Sequence, residues 1–158
     1  DHHEPSDVLP RAFAVINPRR IDSDYPDQDL SGAGVAFKIA QGICIRAAHS
    51  DWVLALLKVA AIGTVADVVP LRGENRVIAS LGLGALTAGV HTKGLQSLLE
   101  VCGLAGRRIE SDDVSFRLAP RINAAGRMSS AEVAAKLLLS AGGSTTEGVE
   151  SWRNIWMN

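Results

Sequence analysis

The stretch Trp52–Leu71 reads WVLALLKVAAIGTVADVVPL and contains the change of pattern on which the fold prediction depends. From Trp52 to Ile62 the apolar residues fall on most sides of the helix that their spacing predicts, which is typical of a buried helix. The apolar run then continues to Leu71, interrupted by a single acid, Asp67. An ionised carboxylate in apolar surroundings is unfavourable unless it is paired, hydrogen-bonded or bound to a cation. Asp67 is therefore either a helix cap or turn acceptor, or a ligand.

Helical patterns lie on both sides of this stretch. A broad apolar face runs from Gly32 to Cys44, and Ser31 can cap it. Further helices are predicted over 75–88, 95–101, 114–118, 131–140 and 147–158. Pro120 is expected to end its helix and leave the following residues in a loop. The clear strand prediction is Ala12–Ile16, a short apolar run ended by Asn-Pro, and an irregular, aspartate-rich loop follows it.

The composition predicts a single globular domain with a sizeable core, since 47% of the 158 residues are hydrophobic. Sixteen Lys and Arg residues balance 17 Asp and Glu residues, so a general basic field for nucleic acid is excluded and any anion site must be local. Cys44 and Cys102 lie far apart in apolar patterns, which predicts reduced core residues and a cytoplasmic protein. Apolar runs are too short for a membrane span.

The densest group of metal-ligand residue types is Asp1-His2-His3. Adjacent imidazoles can both reach one site at the end of a strand, where a neighbouring acid can orient one of the rings. The alternative is an exposed terminus or the remnant of a histidine tag. His2, His3, Asp67 and Asp1 together suit Mn²⁺ or Mg²⁺ better than a structural zinc ion held by thiolates.

The segment 120–128 places two arginines and an asparagine, namely Arg121, Asn123 and Arg127, among small residues. Guanidinium groups on such a loop can approach an anion such as phosphate, although ordinary solvated arginines are an equally simple interpretation. Imidazole and carboxylate ligands beside anion-binding arginines favour metal-assisted hydrolysis of a phosphoester. Neither a P-loop nor a glycine-rich dinucleotide motif is present.

The sequence resembles a known family, the DHH phosphoesterases, and in particular the RecJ branch of that family, whose members are 5′→3′ exonucleases specific for single-stranded DNA. The resemblance covers about residues 1–140 and rests on these blocks: Asp1–His3, Val15–Pro18, Leu30–Phe37, Gly63–Leu71, Glu74–Arg76 and Pro120–Met128. It implies an α/β fold, with a parallel sheet flanked by helices, of which this chain is the predominantly helical part. It also implies a role in DNA repair and recombination.

The resemblance assigns roles to individual residues. His2 and Asp67 would ligate a divalent metal, and His3 would face the scissile phosphate as the catalytic residue. Asp1 would orient His2 without touching the metal. The expected DNA-backbone contacts are Arg121, Asn123 and Arg127.

The family's upstream aspartate motifs and its downstream DHH-associated domain, which grips the strand, have no counterpart in this sequence. We therefore expect residues 1–140 to be the C-terminal part of a DHH domain, and residues 141–158 to be the start of an interdomain helix or a divergent tail. The chain alone is then expected to be inactive and to bind metal weakly. The alternatives are another DHH phosphoesterase, acting on an oligonucleotide, dinucleotide or pyrophosphate, and a non-catalytic DHH-like scaffold in a replication assembly.

Overall fold

A computed structural model of the chain describes residues 2–128 and 131–140, without the side chains of 126–128. Over this part the regular structure is entirely helical, and the chain divides into two compact units, residues 1–82 and 83–158. The elements are α1 (Gly32–Arg46), α2 (Trp52–Ala66), α3 (Gly73–Thr87), α4 (Lys93–Val101), α5 (Ser111–Asp113), a π-helical segment (Val114–Leu118), α6 (Ala119–Met128) and α7 (Ala131–Leu139). The predicted tail 141–158 lies outside the description.

The first unit forms where α1 and α2 pack together. Ser31 caps α1 as predicted, because its side chain accepts a hydrogen bond from the Gly34 amide at 2.9 Å. Gly63 and Ala33 meet at the packed faces, where a Cβ atom on Gly63 would lie 2.6 Å from that of Ala33. The buried apolar cluster consists of Leu30, Val35, Phe37, Leu57, Ala60, Ala61 and Ile78.

Helix α2 is longer than predicted, because it continues through Gly63 to Ala66. Glycine weakens a helix by only about 1 kcal/mol relative to alanine, and here its missing side chain permits the close approach to α1. Asp67 consequently occupies the C-cap position of α2. Asp51 occupies the N-cap position of α2 but makes no capping hydrogen bond through its side chain.

The predicted buried strand Ala12–Ile16 is wrong for this structure. These residues form no regular element, Phe13 is fully exposed and Ile16 is 54% exposed. A strand is stabilised by hydrogen bonds to a neighbouring strand, and none is present among the residues that the structure describes. The predicted predominantly helical character is confirmed over the described residues. The parallel sheet of the α/β prediction is not seen among them.

The second unit is built on α4, α6 and α7. Among the described residues, its buried apolar side chains are Ala85, Leu86, Leu95, Leu98, Leu99, Cys102, Leu104, Ile109, Val114, Leu118, Ala119, Ala125, Ala134 and Leu137. Thr92 caps α4 by accepting a hydrogen bond from the Leu95 amide at 3.3 Å. Cys44 in the first unit and Cys102 here are buried free thiols, as predicted. Within the described ranges, no helix is long and apolar enough to span a membrane.

Pro120 does not end a helix, contrary to the prediction. The chain is helical from Ser111 through Met128, and the π-helical segment Val114–Leu118 comes immediately before α6. A proline in a regular α-helix clashes with the carbonyl four residues earlier and lacks an amide to bond it. The wider π turn, in which the Ala119 amide bonds the Val114 carbonyl, accommodates Pro120 without a break.

Candidate metal and phosphate site

The structure brings together His2 and Asp67, which are 65 positions apart in the sequence. The His2 Nε2 atom lies 3.1 Å from Asp67 Oδ2, so the two side chains converge as expected. The exposed fractions of the side chains are 17% for His2 and 38% for Asp67. Asp67 lies at the C-cap of α2, where its carboxylate is partly exposed and not enclosed by apolar side chains. Its role as a ligand stays a prediction.

Gly32 makes room for the other edge of the His2 ring. A Cβ atom at position 32 would lie 3.1 Å from His2 Nδ1, which is tighter than an ordinary van der Waals contact. His2 therefore sits between the first turn of α1, on its Nδ1 side, and the C-cap of α2, on its Nε2 side. The position of Gly32 beside this histidine was not predicted.

His3 is exposed and lies beside His2, with ring centroids 4.2 Å apart and the planes tilted by 36°. Its backbone carbonyl accepts a hydrogen bond of 2.8 Å from the side chain of Asn17, a residue that is 7% exposed. Asn17 also accepts a bond from the Arg19 amide at 2.9 Å, so the histidine pair is anchored to the loop. The role of Asn17 was not predicted. Asp1 lies outside the described residues.

The residue after Asp67 has an unusual backbone. Val68 has φ +56°, in the left-handed region that β-branched residues rarely adopt, and it is 87% exposed. The cost of such a conformation is about 1–3 kcal/mol, and the surrounding structure must supply it. The turn thereby takes the chain sharply away from α2 and leaves the Asp67 carboxylate at the exposed helix end.

The loop before α1 is tied to the start of α3 by ionic contacts. Lys38 donates to Glu74 Oε1 at 2.7 Å, and the Tyr25 hydroxyl donates to the same carboxylate. Burial alone would raise the pKa of Glu74, but these two donors outweigh it and hold that pKa below its usual range. Asp27 Oδ2 accepts a hydrogen bond of 2.6 Å from the Glu74 amide. The loop is thus held to the start of α3 through Tyr25 and Asp27.

The anion-binding candidates belong to the second unit and do not form the predicted loop. Arg121 and Asn123 lie on α6, two positions apart, and residues so spaced point to different sides of a helix. Arg121 is half-buried and donates to the Arg117 carbonyl at 3.0 Å, whereas Asn123 is exposed. Arg127 belongs to α6, but its side chain lies outside the description. Their proposed contacts with DNA stay predictions.

The residues at the His2–Asp67 pair fit a divalent cation in type and spacing. Two ligands at right angles, each about 2.0–2.6 Å from a hard divalent ion, are about 2.8–3.7 Å apart, and the His2–Asp67 separation of 3.1 Å falls in that range. Imidazole nitrogen and carboxylate oxygen are both acceptable to Mn²⁺. In the part of the chain that the structure describes, no group of three or more His, Cys, Asp or Glu residues could hold a metal ion. The pair therefore supplies at most part of a coordination shell.

A cavity of about 580 Å³ in the first unit adjoins the loop that anchors the histidine pair. Its lining includes Asn17, Tyr25, Leu30, Lys38 and Ile39, but not the histidine pair or Asp67. The converging imidazole and carboxylate thus lie outside the cavity lining.

Comparison with known proteins identifies relatives of one kind. The chain is 39% identical over 149 residues to the single-stranded-DNA-specific exonuclease RecJ of Dickeya dadantii, covering 88% of this chain and 26% of that protein. It is 42% identical over 140 residues to the RecJ of Bacillus subtilis, covering 89% of this chain and 17% of the relative. The chain thus spans about a quarter or less of the length of these curated relatives. No family model matches it.

Solved structures give the same result. A crystal structure of exonuclease RecJ bound to manganese matches with a TM-score of 0.79 and 35% identity, over 99% of this chain and 39% of the other. RecJ from Thermus thermophilus in complex with Mn²⁺ also matches with a TM-score of 0.79, at 34% identity, over 99% of this chain and 22% of that one. In sequence over 88–89% of its length, and in fold over 99% of it, the chain is RecJ-like. What it matches is a part of each RecJ protein.

Proposed function

We propose that this chain forms part of a metal-dependent phosphodiesterase of RecJ type, which removes nucleotides from single-stranded DNA in the 5′→3′ direction. The observation that carries the proposal is the 3.1 Å approach of His2 Nε2 to Asp67 Oδ2. The relatives named as single-stranded-DNA-specific exonucleases, and the manganese in related crystal structures, support the substrate class and the metal. Action in the cytoplasm, in DNA repair and recombination, belongs to the same proposal and rests on that relationship.

In this proposal, His2 and Asp67 hold Mn²⁺ or Mg²⁺ through one nitrogen and one oxygen. A bound ion of this kind lowers the pKa of water and neutralises charge on phosphate oxygens. His3, which is exposed beside His2, would donate a hydrogen bond or a proton to a phosphate oxygen. Asp1 would support His2, and Arg121, Asn123 and Arg127 would contact the DNA backbone.

The remaining ligands and the parallel sheet are proposed to come from segments outside this chain. A hard divalent ion prefers about six ligands, and the described residues offer two at this site. The exposed apolar side chains of Phe13 and Ile16 are what an unpaired strand of a larger sheet would present. The isolated chain is accordingly expected to bind Mn²⁺ weakly and to show no exonuclease activity.

The test is degradation of end-labelled single-stranded DNA with Mn²⁺ by a RecJ-type protein that contains this chain. His3→Ala and Asp67→Ala are each expected to lower the rate by at least about 100-fold, because each removes a group at the reacting phosphate or the metal. Asp51→Ala is the matched control at the opposite end of α2, where no capping bond is lost. Equal rates in the wild type and in both site variants would refute the assignment.

A further inference from the structure

Three polar side chains in the first unit are completely buried. Ser31, Thr64 and Asn75 each have an exposed fraction of 0%. Burying a hydroxyl or an amide is unfavourable by about 1–3 kcal/mol unless it is hydrogen-bonded. These three residues, which are called the buried polar triad below, must therefore be hydrogen-bonded in the folded chain.

The triad joins the starts and ends of three helices. Ser31 Oγ and Thr64 Oγ1 are 2.8 Å apart, which bonds the N-cap of α1 to the last turn of α2. The Ser31 amide donates to Asn75 Oδ1 at 3.0 Å, so α3 takes part as well. The Asn75 amide group donates to the Asp29 carbonyl at 2.7 Å and to the Pro70 carbonyl at 3.2 Å.

Each of these hydrogen bonds involves a residue within three positions of Gly32 or Asp67, and Gly32 and Asp67 are the residues that contact the two nitrogen atoms of the His2 ring. Ser31 directly precedes Gly32, whose backbone lies against His2 Nδ1. Thr64 is three residues before Asp67, and Pro70 is three residues after it, so the triad holds the chain on both sides of that carboxylate. The triad is thus bonded to the two backbone segments between which the imidazole of His2 lies.

We propose that Ser31, Thr64 and Asn75 are positioning residues, which hold Gly32 and Asp67 at the separation that keeps His2 and Asp67 at ligand spacing. The proposal rests on the metal-binding role given to this pair under the proposed function. Metal–ligand distances tolerate deviations of only about 0.2 Å. A small slip of the α2 end along α1 would therefore separate the two ligands, while the apolar core of the unit could remain packed.

The experiment uses Thr64→Val and Thr64→Ser in this chain, with Ser80→Ala on the exposed face of α3 as the control. Valine has the shape of threonine but lacks the hydroxyl, and serine keeps the hydroxyl. The first readout needs no metal: the nuclear Overhauser effect between the His2 ring and the Gly32 Hα protons. The second is the Mn²⁺ concentration that half-broadens the His2 ring resonances, with Mn²⁺ alone as the added ion. Denaturant unfolding records folding in parallel.

We expect Thr64→Val to fold, to lose most of the His2–Gly32 effect, and to need about tenfold more Mn²⁺, the lower end of what a lost supporting contact does to metal affinity. Thr64→Ser and Ser80→Ala are expected to behave like the wild type. A folded Thr64→Val with an unchanged effect and an Mn²⁺ midpoint within twofold of the wild type would overturn the proposal. So would equal losses in Thr64→Val and Thr64→Ser, because the hydroxyl would then be irrelevant.

Ser31→Gly replaces Thr64→Val if the latter does not fold, since it deletes the other hydroxyl of the same bond where glycine is tolerated as a cap. Failure of both variants to fold would assign the triad to stability alone and overturn the positioning role. If Mn²⁺ does not broaden the His2 signals even in the wild type, the metal-binding part of the proposed function fails. The metal-free readout still decides whether the triad positions His2.

Discussion

Two regions of the molecule, the surroundings of His2 and the helical run Ser111–Met128, differ in how far apart in the sequence their hydrogen-bonded side chains and partners lie. In the first region, hydrogen bonds join residues that are far apart in the sequence: Ser31 and Asn75 are separated by 44 positions, and Ser31 and Thr64 by 33. In the second, the Asp113 side chain accepts a hydrogen bond from an amide only three residues earlier. The first arrangement fixes several elements relative to one another, whereas the second stabilises one helix. A site that requires converging ligands is better served by the first.

The largest effect is expected from Asn75→Leu. Leucine is similar in size but leaves the Ser31 amide and the Asp29 and Pro70 carbonyls without their partner. Each buried group left unsatisfied costs about 1–3 kcal/mol, so we expect unfolding free energy to fall by about 3–5 kcal/mol. Denaturant titration of the chain measures it.

The matched change in the second region is Asp113→Ala. The Asp113 side chain accepts a hydrogen bond of 3.2 Å from the Glu110 amide, three residues away. Its loss is expected to cost about 1 kcal/mol, as for an ordinary helix cap. Similar losses in Asn75→Leu and Asp113→Ala would mean that the distinction between the two regions has no energetic basis.

Local sequence patterns were a good guide to helices and a poor guide to what joins them. Ser31 was recognised as the cap of α1 because capping depends on residues within one turn. Asn75 lies in the first turn of α3, but its side chain bonds the Ser31 amide 44 positions away, and so distant a partner leaves no periodic signal. Pro120 misled because the π-helical segment that accommodates it is not evident from propensity. The convergence of His2 and Asp67 was expected only through the family resemblance.

A second test concerns packing between distant elements, through Gly63→Ala. The added Cβ would lie 2.6 Å from the Cβ of Ala33, and both carbons are fixed to helix backbones, so α1 and α2 must move apart. We expect a loss of about 2–3 kcal/mol in unfolding free energy, as for other overpacked sites.

Gly42→Ala in α1 is the control, because a Cβ there would meet nothing within 4 Å. It should raise the unfolding free energy by up to about 1 kcal/mol, through helix propensity alone. Measuring both variants by denaturant titration separates the packing effect from the propensity effect. A stabilising Gly63→Ala would show that the α1–α2 approach does not depend on the missing side chain.

The smallest expected effect compares two ion pairs by pH. Lys38–Glu74 joins residues 36 positions apart with side chains 35% and 33% exposed, whereas Glu132–Lys136 lies on the surface of α7 with both side chains at least 70% exposed. The pKa of Glu74 is lowered in the folded chain, so its contribution is present above the unfolded pKa and is lost as the pH falls through the folded value. Between pH 7 and pH 3 the wild type should therefore lose stability that Glu74→Gln does not lose. That difference should be at most about 1 kcal/mol, because the pair is partly solvated.

Glu132→Gln should follow the wild-type pH profile closely, since solvent screens its exposed partner. A larger flattening of the profile by Glu132→Gln than by Glu74→Gln would place the acid sensitivity in local helix pairs rather than in contacts between distant elements.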